Sequence, residues 1–574
     1  MRLLQFVAAL GLVGTAFSQS STVKSYVASE SPIAKAGLLA NIGPSGSKSS
    51  GASSGVVVAS PSTSNPNYLY MWIRDTSLVF KTIIDQVTLG QDTSLRSQID
   101  NYIHAQAIIQ QVSNPSGTVS TGGLGEPKFY INETAFEGSW GRPQRDGPAL
   151  RATAMITFAN WLLDNNNATF VTNTLWPIIK LDLDYVSANW NQTTFDLWEE
   201  IQSSSFFTTA VQHRSLREGS ALATRIGQTS VVSGYDTQAS NVLCFLQSYW
   251  NPTSGYITAN TGGGRSGKDS NTVLASIHTW DIAAGCDAAT FQPCSDKALS
   301  NLKVYVDSFR GIYPISSGID ASAAVAVGRY PEDVYYNGNP WYLATLGVAE
   351  QLYDALLTWD SVGSLDVTDV SLPFFKQFSS GVTTGTYASS SSTYSTLTAA
   401  IRAYAEGFVA IAAKYTPSGG GLSEQFDKST GVPVSAVDLT WSYASALTAF
   451  GARAGTKTAS WGAKGVTVPS QCTGNAGPSV SVTFNVQATT QVGESIYLAG
   501  SVDALQNWST EYALLLSAGE TYPTWTLTVT LPASTSLQYK YLRKANGTVT
   551  WQSDPDFSLT TPASGTFTQN DTWR

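Results

Sequence analysis

A large helical domain followed by a small β-sandwich is the fold that this chain predicts, and three observations predict it. Apolar residues recur at helical spacing from about residue 22 to residue 455. From Pro478 onward the pattern becomes the two-residue alternation of strands. Between them, residues 456–478 are rich in Gly, Ala, Ser and Thr and have the composition of a short linker. With 574 residues, the chain is long enough for a large core plus an appended module.

Helix-spaced apolar residues mark Leu95–Val112, Ala149–Asp164, Leu175–Trp190, Asp236–Trp250, Lys297–Phe309, Trp341–Trp359, Leu397–Tyr415 and Leu439–Arg453. Ala149–Leu163 is apolar nearly all round, as expected of a helix buried between neighbours. With weaker candidates the count reaches about a dozen, and helix pairs of this kind can close into a toroid. The joining loops are long and rich in Gly, Pro, Asn and aromatic residues, and long loops on a helical scaffold usually carry function. In the C-terminal part, Val480–Val486, Ser495–Ala499, Trp525–Leu531 and Leu537–Leu542 alternate as strands, within a segment of about 95 residues, the size of a β-sandwich.

Composition narrows the partners. Charged residues make up only 13% of the chain, against about 25% in ordinary domains. Hydroxyls and amides replace them, with 16 Trp and 26 Tyr. Such a surface suits a neutral partner rich in hydroxyls. The net charge of −9 argues against nucleic acid, which needs a basic face.

The N-terminus reads as an address. Arg2 precedes an apolar run, Leu3–Phe17, and small residues surround Ala16 and Ser18, so residues 1–18 predict a cleaved secretory signal. The run is shorter than the roughly 18 residues of a membrane span, which predicts a secreted, extracellular protein with no membrane partner. Four cysteines in an oxidising compartment predict two bridges. Cys286 and Cys294 lie close around a Pro-containing loop and are expected to pair, leaving Cys244 for Cys472. Acceptor sequons begin at Asn132, Asn167, Asn191, Asn507, Asn546 and Asn570. No metal or other cofactor is expected, because no CxxC or His cluster occurs among the three histidines.

Five stretches combine aromatic rings with Arg or carboxylates. They read N-P-N-Y-L-Y-M-W-I-R-D (Asn65–Asp75), G-S-W-G-R-P-Q-R-D-G-P-A-L-R-A-T-A (Gly138–Ala154), D-L-W-E-E (Asp196–Glu200), G-R-Y-P-E-D-V-Y-Y-N-G-N-P-W (Gly328–Trp341) and L-S-E-Q-F-D (Leu422–Asp427). Sugars demand this combination, since their apolar faces stack on rings while their hydroxyls bond to Arg and Asp. In the third stretch Glu199 and Glu200 follow the apolar pair Leu197–Trp198. An indole and a second carboxylate both favour the protonated form of a carboxyl group, which is what a general acid for splitting an acetal requires.

In this order, the five stretches resemble those of fungal glucoamylases, glycoside hydrolase family 15, over nearly the whole mature chain. The resemblance implies an all-α (α/α)6 barrel over 19–455 and a family 20 starch-binding β-sandwich, immunoglobulin-like, over 479–574. It implies inverting, exo-acting release of β-D-glucose from starch and maltooligosaccharides, α-1,4 bonds foremost, by a monomer. Position by position, Glu199 resembles the general acid and Glu424 the general base. Arg74, Asp75 and Arg329 resemble clamps on the terminal glucose. Tyr68, Trp72, Trp140 and Trp341 resemble the pocket walls, with Gly141, Leu197 and Glu200 as further sugar contacts. In the module, Trp508 and Trp551 with Lys540 resemble one starch site, and Tyr497, Tyr522 and Trp525 a second. The module departs from many members in having no cysteine after residue 478. A mildly acidic activity optimum is expected, with Glu424 ionised and Glu199 protonated. The competing readings are a starch lectin without catalysis and another (α/α)6 enzyme, such as one like glucodextranase.

Overall fold

The computed structural model describes residues 22–470, 479–491, 493–510, 513–518, 522–532, 535–545, 547–562 and 565–574. The expected signal at 1–18 and Cys472, the expected partner of Cys244, lie outside the described residues. The chain divides into two compact units. One takes residues up to 190, 206–259 and 266–470; the other takes 191–205, 260–265 and the C-terminal part.

Among the described residues of the first unit, twelve helices of eight residues or more follow in order. They are α1 (22–40), α2 (Ile73–Thr88), α3 (Arg96–Gln111), α4 (Asp146–Asp164), α5 (Trp176–Asn189) and α6 (Phe206–Arg225). Then come α7 (Val232–Leu246), α8 (Asn271–His278), α9 (Asp296–Ser308), α10 (Tyr342–Val362), α11 (Ser392–Tyr415) and α12 (Thr440–Ala454). The even-numbered helices form a closed ring in which α2 packs on α4, α4 on α6, α6 on α8, α8 on α10, α10 on α12, and α12 back on α2. Odd-numbered helices back them, as α3 does α2, α5 does α4, and α11 does α10. This is the (α/α)6 barrel.

Burial follows from this position. In α10 almost every residue from Tyr342 to Trp359 is buried, and the helix ends on Gly363 at φ 79°, where a left-handed stop favours glycine. Outer helices carry the ordinary caps: Ser295 accepts from the Ala298 amide and Ser391 from the Tyr394 amide. Inner and outer rings are tied by charge. Arg151 of α4 donates to both carboxylate oxygens of Asp182 on α5, at 2.8 and 2.6 Å, and to Gln106 of α3 at 3.1 Å.

The inner helices begin at one end of the barrel. Arg74 in the first turn of α2 pairs with Asp146, which opens α4, at 2.9 Å. Its guanidinium also lies over Trp441 in the first turn of α12. The Phe207 amide of α6 donates to the side chain of Asn271, which opens α8. The ring is closed by Thr440, whose amide and hydroxyl bond to the carbonyls of Ala59 and Val58.

Residues 460–463, inside the stretch read as linker, are fixed to the barrel. One oxygen of Asp281 accepts from the Ser460 hydroxyl and from the amides of Trp461, Gly462 and Ala463, while the Trp461 indole donates to the Thr279 carbonyl. The Cys286–Cys294 disulfide forms as expected.

In the second unit, the C-terminal part is a sandwich with eight strands among the described residues. They are β1 (Ser479–Gln487), β2 (Ser495–Gly500), β3 (Leu514–Leu515), β4 (Thr524–Pro532), β5 (Ser536–Ala545), β6 (Thr548–Trp551), β7 (Phe557–Thr560) and β8 (Thr566–Thr572). One sheet has the order β4-β1-β8, with β1 and β8 parallel; the other has β3-β2-β5-β6, with β7 also on β5. Alternation puts Val480, Val482, Phe484 and Val486 of β1 into the core against Ile496, Leu498, Tyr539 and Tyr541.

Candidate active site

In the barrel unit the residues expected to bind sugar lie at the end where the inner helices start. Trp72 is the last residue of a two-residue strand and caps α2, so Arg74 and Asp75 stand in the first helical turn rather than in a loop. Tyr68 and Trp140 each pack edge-on against the Trp72 ring, at 5.3 and 5.9 Å. Arg74 donates to Gln144 at 2.9 Å, and Gln144 in turn donates to the Gly141 carbonyl at 2.9 Å.

Lys128 is what fixes these walls, and the sequence offered no sign of it. It is 2% exposed, and its ammonium lies 3.4 Å from the Trp140 ring centre, 4.0 Å from Tyr70, 4.3 Å from Phe136 and 4.7 Å from Trp72. Desolvated cation–π contacts contribute about 2 kcal/mol or more, so this cage holds both tryptophans at fixed angles.

On the other side, Arg329 makes a bidentate pair with Asp333, at 2.8 and 2.7 Å. Its planar face lies 4.9 Å from the Tyr335 ring and 5.2 Å from Trp341, which caps α10. The Tyr335 hydroxyl bonds to that of Tyr68 at 2.9 Å, linking the two walls. Tyr335 lay in a stretch singled out from the sequence, but nothing in its spacing distinguished it from Tyr336 beside it.

Glu424 sits between these walls, 1% exposed. Its amide donates to Ala436 and its carbonyl accepts from the Tyr342 amide of α10, so the backbone is held on both sides. One carboxylate oxygen accepts from Gln425 at 3.0 Å and from the Ser435 hydroxyl. Burial pushes the carboxyl up to about 7, while Ser435, Tyr68, Arg329 and Gln425 all favour its ionised form. The expected acidic optimum needs Glu424 ionised at low pH; burial works against that and the polar ring works for it. Ser435 lies outside every stretch noted from the sequence.

The second unit carries D-L-W-E-E on a hairpin. Thr194–Phe195 pairs antiparallel with Gln202–Ser203, and residues 196–201 form the loop between them. Asp196, fully buried, organises that loop: its side chain accepts from the amides of Glu200 and Ile201 at 2.9 and 3.1 Å, and its carbonyl from the Glu199 amide. Burial holds the Asp196 carboxyl above the usual range against those bonds. Leu197 and Trp198 are buried under the loop, and Glu200 pairs with Arg265 at 2.6 Å. Glu199 adopts φ 67°, a left-handed conformation uncommon for a non-glycine residue and enriched at functional sites.

In the sandwich, Trp508 and Trp551 come together with ring centres 6.3 Å apart. Lys540 is held by Asp554 and by Asp556. Tyr497, Tyr522 and Trp525 differ in their surroundings. Trp525 faces the core between the sheets, 8% exposed, with its indole donating to the Ala488 carbonyl. Tyr497 packs on the same small cluster as Trp551 on the outer face of the other sheet, and Tyr522 bonds to the Thr490 backbone. Alternation along β4 turns Trp525 inward, which its aromatic character alone did not reveal.

Residues 32–451 match the family described as Glycosyl hydrolases family 15. The chain belongs to that family. Residues 479–571 match the starch binding domain of family 20. Glucoamylase-1 of Schizophyllum commune is 63% identical over 573 residues, covering 99% of both chains, and the glucoamylase of Neurospora crassa is 50% identical over 96% of this chain and 94% of its own. Among solved structures, the family 15 glucoamylase of Hypocrea jecorina superposes with a TM-score of 0.77 at 49% identity, covering 96% of this chain and 100% of that one. The Hormoconis resinae glucoamylase gives 0.76 at 46% identity, covering 96% of this chain and 98% of that one. The all-α barrel and the β module therefore follow the architecture of family 15 glucoamylases.

Proposed function

We propose that this family 15 chain is a glucan 1,4-α-glucosidase that removes β-D-glucose from the non-reducing ends of starch and maltooligosaccharides. What carries the reading is a buried carboxyl, Glu424, ringed by Ser435, Tyr68, Gln425 and Arg329 within aromatic walls. In the reaction Glu199 gives its proton to the glycosidic oxygen and the leaving chain departs as an alcohol. Glu424 takes a proton from water as that water attacks the anomeric carbon from the opposite side. Inversion of this kind requires the two carboxyls about 6.5–9.5 Å apart. Arg74, Asp75 and Arg329 bind hydroxyls of the terminal sugar, Tyr68, Trp72, Trp140 and Trp341 stack on its faces, and Gly141, Leu197 and Glu200 add polar contacts. Proton NMR of the first turnovers on maltoheptaose tests this directly. β-Glucose is the expected first product; α-glucose, or maltotriose as a major product, contradicts it.

Glu424 must be ionised to act, so its polar partners set the acid limb of the pH profile. Removing the Ser435 hydroxyl deletes the largest contribution opposing burial. In Ser435→Ala the acid limb of kcat/KM, which reports the free enzyme, is expected to move to higher pH by about one unit, the equivalent of one hydrogen bond to a charged group. An unmoved or lowered limb separates Ser435 from the base.

The module, through Trp508, Trp551 and Lys540, is proposed to hold the enzyme on granular starch. Trp508→Ala with Trp551→Ala is expected to weaken adsorption to granules by tenfold or more, since stacked aromatics in binding sites contribute about 2 kcal/mol each. Adsorption isotherms that overlay those of the unaltered protein place the starch site elsewhere. Secretion through residues 1–18 and a monomeric state belong to the same proposal; no helix among the described residues is long and apolar enough to cross a membrane.

A further inference from the structure

The barrel holds a second cavity, of about 130 Å³, on its axis and toward the ends of the inner helices. It uses none of the residues assigned to hydrolysis. All six inner helices reach it, and Thr456 and Thr458 border it together with Gln86 and Gln91.

The charges around it do not cancel. Lys81 of α2 is matched by Asp85 at 2.7 Å, and Arg214 of α6 by Glu218 at 2.8 Å. Two carboxyls of α10 remain, Glu350 and Asp354, four residues apart and thus on one helix face. Glu350 accepts from the Thr448 hydroxyl of α12 at 2.6 Å. Asp354 is 1% exposed and its carboxyl receives no hydrogen bond from any described residue, although it lines the cavity. His278 of α8 does not serve as their cation: burial, with Arg214 and Lys81 nearby, pushes it down to about 3. Its buried Nε2 also has no partner.

Burial pushes both carboxyls up, Glu350 to about 7 with the Asp85 charge adding to it against the Thr448 hydroxyl, and Asp354 well above its ordinary range with the Glu350 charge adding to it. The last turns of α2, α8 and α12 border the same space, and helix C-termini favour positive charge. The remaining walls include Ile277, Trp280 and Leu447, which suit a short carbon skeleton. Among the described residues, no group of three ligating side chains suits a metal ion.

We propose that this axial cavity binds a small protonated amine, with its ammonium group between Glu350 and Asp354 and its carbon chain against Ile277, Trp280 and Leu447. Binding requires one ionised carboxylate of the pair, so the amine displaces a proton and binds better in alkali than in acid.

The test is thermal unfolding of the full chain in n-propylammonium chloride, with n-propanol and sodium chloride as controls, at pH 8 and pH 5. The unfolding temperature is expected to rise with amine concentration at pH 8, less at pH 5, and with neither control. Asp354→Asn and Glu350→Gln, which remove an uncompensated buried charge, are expected to lower the affinity by about tenfold or more, the loss of a charge-assisted bond. Equal shifts in the unaltered protein and both variants, an equal shift with sodium, or no shift at pH 8 each overturn the proposal. Calorimetric titration of the unaltered protein near pH 7 in two buffers of different ionisation enthalpy gives a check independent of the variants. Release of about one proton per amine is expected, and no release overturns it.

Discussion

Glu424→Gln is expected to lower kcat on maltose by about 10²–10⁴-fold, the usual contribution of a positioned acid or base. Glu199→Gln is expected to do the same, and substrate choice separates the two. On α-glucosyl fluoride the leaving group departs without a proton, so the Glu199 variant recovers much of its rate while the Glu424 variant does not. Neither change should unfold the protein. At Glu424 burial already disfavours the charge, and glutamine keeps the volume. A variant of either residue within tenfold of the parent on maltose removes it from the mechanism. Recovery of the Glu424 variant on the fluoride, without recovery of the Glu199 variant, reverses the two roles.

Asp182→Ala is expected to destabilise the barrel by about 3–5 kcal/mol, because it leaves a buried guanidinium without its anion. Arg151 and Asp182 are 1% and 0% exposed, and no solvent reaches the site to replace the lost partner. Calorimetry of the barrel's own unfolding transition reads the loss. Replacing both residues together, as Arg151→Met with Asp182→Leu, is expected to recover most of it, since apolar pairs of similar volume often equal a buried ion pair. A loss below about 1 kcal/mol in the single variant indicates a pair no stronger than one exposed on the surface.

Legibility in the sequence followed the physics of burial. Outer helices such as α3, α5, α7 and α11 face water on one side and protein on the other, so their apolar period was plain. Among the inner helices, α6 gave no such period, whereas α2 carries Val79, Phe80, Ile83, Ile84 and Val87 at helical spacing and was not singled out. In α6 nearly every residue is buried, yet Gln212, His213, Arg214, Ser215 and Glu218 are polar; Gln212 and Arg214 bond to the Arg145 and His278 carbonyls, while Ser215 and Glu218 bond within the helix. The catalytic candidates were legible because each sits in a run of aromatic and charged residues that few other tasks require. Ser435 and Lys128 were not, for they act through approaches that spacing does not encode. Trp525 is ambiguous for a simpler reason: a lone tryptophan on a strand fits a core as well as a sugar.

Thr440 closes the ring by bonding to residues almost the whole domain away from it. During synthesis α2 therefore waits, one flank uncovered, until α12 has left the ribosome. An unclosed barrel presents apolar helix surface to every other nascent chain nearby, and the seam between the first and last inner helices is where a chaperone would have to shield it.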